Sequence, residues 1–183
     1  MVQPLNVLIL ENYPIIIEAY KMALNQIASG NNKFKFNVDI AHDYIAADIK
    51  INETLDETPY DLVLLDYNLF STNRPGIISG IDLGIKIKQL NPRTKLIILT
   101  SEDDDRKLYN NFKMLKPHGF LIKNDFLYED LIQALTKVIH GSHYYSNIVS
   151  SILRNHKSNK IVLDIVENNT FNDLLSEVEI KLL

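Results

Sequence analysis

The sequence contains no cysteine, which excludes disulfides and thiolate metal sites. No apolar run approaches the roughly 18–20 residues that a membrane span requires. The N-terminus lacks the charged segment and apolar core of a secretory signal. A soluble, cytoplasmic protein without a membrane partner is the expectation. The charge is not strongly of one sign: 19 basic against 23 acidic residues leave a formal −4, which gives no electrostatic case for nucleic-acid binding by the chain as it stands. There is no internal repeat and no low-complexity tract. No glycine-rich loop follows the first strand-like run, which argues against a nucleotide-binding flavodoxin-like protein. What is present is 183 residues, 46% hydrophobic and 23% charged, which suits one full domain plus an appendage with a substantial core.

Strand-like and helix-like segments alternate. Leu5–Leu10 is a continuous apolar run, as in a strand buried on both faces. Pro14 sits where a first helical turn tolerates it, and Ile16, Ala19, Tyr20, Ala23, Leu24 and Ile27 then recur at helical spacing until Ser29-Gly30. Phe34–Ile40 alternates with period two, as an edge or half-covered strand should. A weaker helix over Ala46–Leu55 precedes Tyr60–Tyr67, a buried strand. Phe70–Ser79, with Pro75-Gly76, reads as a long exposed loop. Ser79-Gly80-Ile81-Asp82 resembles a capping box opening a helix that Asn91-Pro92 ends. Lys95–Leu99 is the next strand, and the acidic run Glu102–Asp105 suits a helix N-terminus whose inward face is Leu108, Phe112 and Leu115. Its simplest reading is a solvated helix start. A short strand, Gly119–Ile122, and a helix marked by Leu127, Leu131, Leu135 and Val138 complete the series near Gly141.

This repeated strand–helix order predicts an α/β fold, a five-stranded doubly wound parallel sheet, with a mainly helical C-terminal extension. Residues 1–141 form the main domain. Residues 142–172 are a linker in which Tyr144–Leu153 is a further helix whose apolar residues pack on the domain or a partner, and residues 173–183 begin something new. His140 and His143 are spaced for a metal, but no third ligand is evident, and a helix end at the surface is the simpler reading.

The strands end on polar groups. Leu62–Leu65 leads into Asp66, Leu5–Leu10 into Glu11-Asn12, Lys95–Leu99 into Thr100-Ser101, and Gly119–Ile122 into Lys123. Parallel strands bring these ends to one sheet edge, where open α/β folds bind ligands. Carboxylates, a hydroxyl and a lysine gathered there make a phosphoryl-transfer site.

These motifs, in this order and spacing over residues 4–141, resemble the receiver domain of two-component response regulators. The resemblance implies that Asp66 is the phosphoacceptor, attacking a phosphohistidine of a sensor histidine kinase to give a labile acyl phosphate. It implies Mg²⁺ as the cofactor, held by Glu11, Asn12, Asp66 and the backbone carbonyl of Asn68. Thr100 and Lys123 would contact the phosphoryl group, and Phe120 falls where the family has an aromatic switch residue, although a partly core role also suits it. The protein would not be an enzyme beyond self-catalysed phosphotransfer and autodephosphorylation, and phosphorylation would favour a homodimer or release of an output domain. Two departures stand out. Asn12 replaces the Asp that usually reaches the metal, which lowers the expected Mg²⁺ affinity and supports an alternative, a phosphorylation-independent interaction module. The loop before Gly80 is also longer than usual. A phosphatase of the haloacid dehalogenase type also uses a strand-end Asp, but it needs a second Asp where this chain has Asn68.

Leu175–Leu183 resembles the start of the helix-turn-helix domain of NarL/FixJ (LuxR-type) regulators, with a capping box of Ser176 and Glu179. Asn124, after Lys123, fits the same subgroup. DNA binding and transcription control would belong to a part that this sequence lacks.

Overall fold

The computed structural model describes residues 2–31, 33–53, 58–69 and 80–155. Its elements run β1 (Gln3–Leu10), α1 (Pro14–Asn31), β2 (Phe34–Ala41), α2 (Tyr44–Glu53), β3 (Leu62–Asp66), α3 (Gly80–Leu90), β4 (Lys95–Thr100), α4 (Asp105–Leu115), β5 (Gly119–Ile122), α5 (Tyr128–Ile139), β6 (Tyr144–Tyr145) and α6 (Asn147–Asn155). The strands form one sheet in the order β2-β1-β3-β4-β5-β6, and every pairing is parallel.

Side chains alternate across each strand, and the two faces bury separate cores. Val7, Ile9, Leu62, Leu64, Ile97, Leu99 and Leu121 pack with α1 and α5. Leu8, Leu10, Val63, Leu65, Leu96, Ile98, Phe120 and Ile122 pack with α2, α3, α4 and α6. This explains why the central strands read as unbroken apolar runs: each is covered on both faces. β2, at the edge, keeps the half-buried alternation expected of it. α4 starts where the acidic run places it, with the Asp104 carboxylate accepting the N–H groups of Arg106 and Lys107.

The sheet has six strands rather than the expected five, and the helix expected over Tyr144–Leu153 begins only at Asn147. The reason is the open edge of β5. The N–H groups of Tyr144 and Ser146 donate to the carbonyls of His118 and Phe120, at 3.0 Å each, and satisfy backbone that would otherwise stay unpaired. The Tyr145 ring is buried edge-on against Phe112, with centroids 5.3 Å apart, and its hydroxyl donates to the Pro117 carbonyl. α6 then turns Val149, Ile152 and Leu153 inward. The loop 70–79, Ser79 of the expected capping box, and the helix-turn-helix resemblance over 173–183 lie outside the described residues. Among the described residues no helix is long and apolar enough to cross a membrane.

Candidate functional site

Strand register builds the site. Leu10 lies opposite Leu65, Asp66 opposite Leu99, and Thr100 opposite Ile122. The residues that follow or end these strands, Glu11, Asp66, Thr100 and Lys123, therefore share the C-terminal edge of the sheet. Gly80, the first residue of α3, lies close behind: a Cβ there would stand 2.8 Å from the carbonyl oxygens of both Asp66 and Tyr67.

At this edge two carboxylates share one ammonium. The Lys123 Nζ lies 2.7 Å from Glu11 Oε2 and 3.1 Å from Asp66 Oδ2. All three side chains are withdrawn from water, with relative exposures of 0% for Glu11, 3% for Asp66 and 11% for Lys123. Backbone donors fix each carboxylate in addition. Asp66 Oδ1 accepts the N–H of Asn68 at 2.9 Å, and Glu11 Oε1 accepts those of Asn12 and Tyr13 at 3.0 and 3.1 Å. Such charge-assisted bonds hold an acidic group more firmly than neutral ones. The Tyr13 ring lies 5.9 Å from the Lys123 ammonium, near the outer limit for a cation–π contact. Counted by charge, the cluster carries one carboxylate in excess.

Thr100 is fully buried at the same edge, and its Oγ1 accepts the N–H of Glu102 at 2.9 Å. A hydroxyl that accepts still has its own proton to donate. The Lys123 N–H donates to the Thr100 carbonyl at 2.6 Å, tying the two strand ends together. Glu102 is held by its neighbours: its bond from Lys107 and the N–H groups of Asp104 and Asp103 keep its carboxyl below the ordinary range. Asn12 is exposed beside the cluster. Phe120 lies within β5, fully buried in the core shared with Phe112 and Tyr145.

Among the sequence-predicted residues, Glu11, Asp66 and Lys123 meet directly, Thr100 and Asn68 border them, and Phe120 sits beneath in the core. Sequence reading overlooked Tyr20. It is one of the inward residues of α1, yet its hydroxyl has no hydrogen-bond partner among the described residues. Burial first, and then the charges of Glu11 and Asp66, push that hydroxyl well above the ordinary tyrosine range. Its helical spacing marked it as core, and the fate of its polar tip was the missed signal. The pairing of His143 was also missed. It stacks on His118 with ring centroids 5.4 Å apart, at the opposite edge of the sheet, whereas His140 meets the Phe34 ring.

The donor chemistry suits Mg²⁺, which is commonly held by one or two carboxylates together with phosphate oxygens and waters. Glu11, Asp66 and the Asn68 carbonyl would serve, and Asn12 offers a neutral amide oxygen in place of a charge. Among the described residues no three acidic or histidine side chains converge as a metal cluster.

No model of a known protein family and no curated protein matches the sequence. Solved structures do. A LuxR-family two-component response regulator from Aurantimonas superimposes with a TM-score of 0.64 at 18% identity, over 86% of this chain and 100% of that one. The isolated REC domain of RcsB from Salmonella enterica serovar Typhimurium, with the phosphomimetic BeF3−, gives 0.64 at 22% identity, over 82% and 99%. A response regulator from Thermotoga maritima gives 0.56 at 21% identity, over 76% and 100%. The parallel sheet, its strand order and these superpositions agree: the chain has the flavodoxin-like fold of response-regulator receiver domains, those of the LuxR family among them.

Proposed function

We propose that this protein is a phosphorylation-controlled signalling switch whose phosphoacceptor is Asp66. The observation that carries this reading is the buried Glu11–Lys123–Asp66 cluster at the sheet edge. An Asp66 carboxylate oxygen attacks the phosphorus of a phosphohistidine on a sensor kinase. The new P–O bond forms as the P–N bond breaks, and the imidazole nitrogen leaves with the electron pair and takes up a proton. A bound Mg²⁺ would neutralise charge between the carboxylates and the phosphoryl oxygens. Lys123 then pairs with a phosphoryl oxygen as a compact point charge, and Thr100 donates its hydroxyl proton to another. No further catalytic group is required, so the chain acts as a self-modifying acceptor rather than an enzyme on other substrates.

A donor protein must reach Asp66 over the rim of the cluster, where exposed apolar side chains stand among polar ones such as Asn12 and Asn124. Ile15 is 82% exposed, Leu127 71% and Tyr13 58%. Exposed apolar groups clustered beside a reactive site fit a protein partner, here the kinase. The phosphorylated state biases a two-state equilibrium that reaches output as a homodimer and, in a longer protein with a DNA-binding domain, as transcription control. Asn12 favours a second reading, a phosphorylation-independent interaction module. Intact-protein mass after incubation with acetyl phosphate and Mg²⁺ separates the two. One added phosphoryl group is expected in the wild type and none in Asp66→Asn, with a shift to dimer alongside. A phosphoryl group on the Asp66→Asn protein would overturn the site. No gain in the wild type would favour the second reading, and recovery in Asn12→Asp would locate the cause.

A further inference from the structure

Tyr20 projects from α1 into the core under the carboxylate cluster, 3% exposed, with its hydroxyl unpartnered among the described residues. A buried hydroxyl without a partner carries the full cost of its lost water, whereas Phe or Leu would fill the same place without that cost. Such orphans in folded proteins call for an explanation. The surroundings supply one. Tyr20 and Lys123 line the same cavity of about 320 Å³, whose other walls include Ile16, Ala19, Phe126 and Leu131. Through that cavity Tyr20 is joined to the acidic site, because the Lys123 ammonium on its wall lies 2.7 Å from Glu11 Oε2.

In the state described, Glu11 Oε2 accepts from Lys123 at 2.7 Å and Oε1 from two backbone N–H groups. If Asp66 is the phosphoacceptor, the new phosphoryl oxygens compete for the Lys123 ammonium. Glu11, fully buried, then loses its strongest donor just when its position matters. We propose that the Tyr20 hydroxyl is the reserve donor of this site: as Lys123 turns to the phosphoryl group, Tyr20 donates to Glu11, directly or through one water in the adjoining cavity, and keeps that carboxylate placed. Tyr20 is thus a positioning residue, idle in the resting protein and engaged in the phosphorylated one. The cavity provides room for the hydroxyl to move or for a bridging water.

This inference rests on the phosphoacceptor reading, and the test separates the two. Tyr20→Phe keeps the ring and its packing. Phosphorylation by acetyl phosphate is followed by intact mass across a Mg²⁺ series, with thermal unfolding of the resting protein in parallel. The variant should need roughly ten-fold more Mg²⁺ for half-maximal phosphorylation, the equivalent of one charge-assisted hydrogen bond. Its resting unfolding midpoint should be unchanged or higher. A ¹³Cζ-tyrosine resonance assigned by the same substitution should shift in the wild type when beryllofluoride and Mg²⁺ are added. An unchanged Mg²⁺ dependence, or a resonance that does not move, would overturn the role of Tyr20 and leave Asp66 as the acceptor. A wild type that gains no phosphoryl group at any Mg²⁺ concentration would refute both readings.

Discussion

The charge count at the sheet edge makes an unusual demand on stability: deleting the lysine and deleting the aspartate should have different consequences. Lys123 lies 2.7 Å from one buried carboxylate and 3.1 Å from the other. At an effective dielectric near 20, each contact is worth on the order of 5 kcal/mol of gross attraction, opposed by desolvation and by repulsion between the carboxylates. Lys123→Met keeps the apolar stem but removes both attractions and leaves the repulsion. Stranding buried charges in this way costs about 3–5 kcal/mol, a large part of the 5–15 kcal/mol typical of a domain. Asp66→Asn removes one attraction and the repulsion together and leaves a neutral Lys123–Glu11 pair, so its net effect should stay within about 1 kcal/mol of zero. Urea unfolding followed by far-UV circular dichroism measures both, provided the slope with denaturant is the same for all three proteins. Millimolar Mg²⁺ should return more stability to Lys123→Met than to the wild type, because the cation then replaces the missing charge. A Lys123→Met protein within 1 kcal/mol of wild type, or an Asp66→Asn protein destabilised as much as Lys123→Met, would refute this account of the cluster.

Two further outcomes follow from other positions. Gly80→Ala forces a Cβ to within 2.8 Å of the Asp66 and Tyr67 carbonyl oxygens, neither of which is on a side chain that can yield. It should cost about 1–3 kcal/mol as overpacking and slow phosphorylation by shifting the end of β3, whereas an unchanged urea midpoint would show that α3 can move away freely. Burial first, then Lys88, His143 and Lys95, push His118 from 6.5 down to about 4, and its Nδ1 accepts the Leu96 N–H at 3.2 Å. The fold therefore holds the neutral ring: this contribution is fully present above about pH 6.5 and is lost as pH falls toward 4. Between pH 7.5 and pH 5 the urea midpoint should fall by the equivalent of about 1–2 kcal/mol, and His118→Gln should flatten that part of the profile. Equal slopes in the two proteins would count against His118 as its source.

How much of this was legible in the sequence depended on the length over which each signal was spread. Leu5–Leu10 and Lys95–Leu99 announce buried parallel strands because every residue is apolar, and two covered faces require that. The polar residues ending those runs then place Glu11, Asp66, Thr100 and Lys123 at one edge by topology alone. β6 was illegible because two residues carry no period, and Tyr144 and Tyr145 read as the start of the helix expected over Tyr144–Leu153. Its formation is decided by unpaired carbonyls on β5, which local sequence does not express. The sharing of Lys123 between two carboxylates, and the orphan hydroxyl of Tyr20, likewise depend on distances across the sheet and the α1 layer. Residue type suggested the partners there, but only the fold could set their number.

The C-terminal extension bears on the site more directly than its distance in sequence suggests. β5 is only four residues long and carries both Phe120 and the approach to Lys123. Without β6 it would be an edge strand, and a short edge strand frays at low free-energy cost. The Ser146 N–H donates to the Phe120 carbonyl at 3.0 Å, and the Asp125 carboxylate accepts the Ile148 N–H at 2.8 Å at the start of α6. Tyr145 packs on Phe112 of α4, so the extension grips β5 and α4 together. The ammonium that bridges Glu11 and Asp66 thus follows a strand paired with β4 along its length and with β6 over its first two residues, Gly119 and Phe120. A displacement of Phe120 must be transmitted into that clamp, because Phe120 is paired with β4 on one side and with Tyr145 of β6 on the other. Residues 144–155 are in this sense part of the frame of the site, not a tether leading away from it.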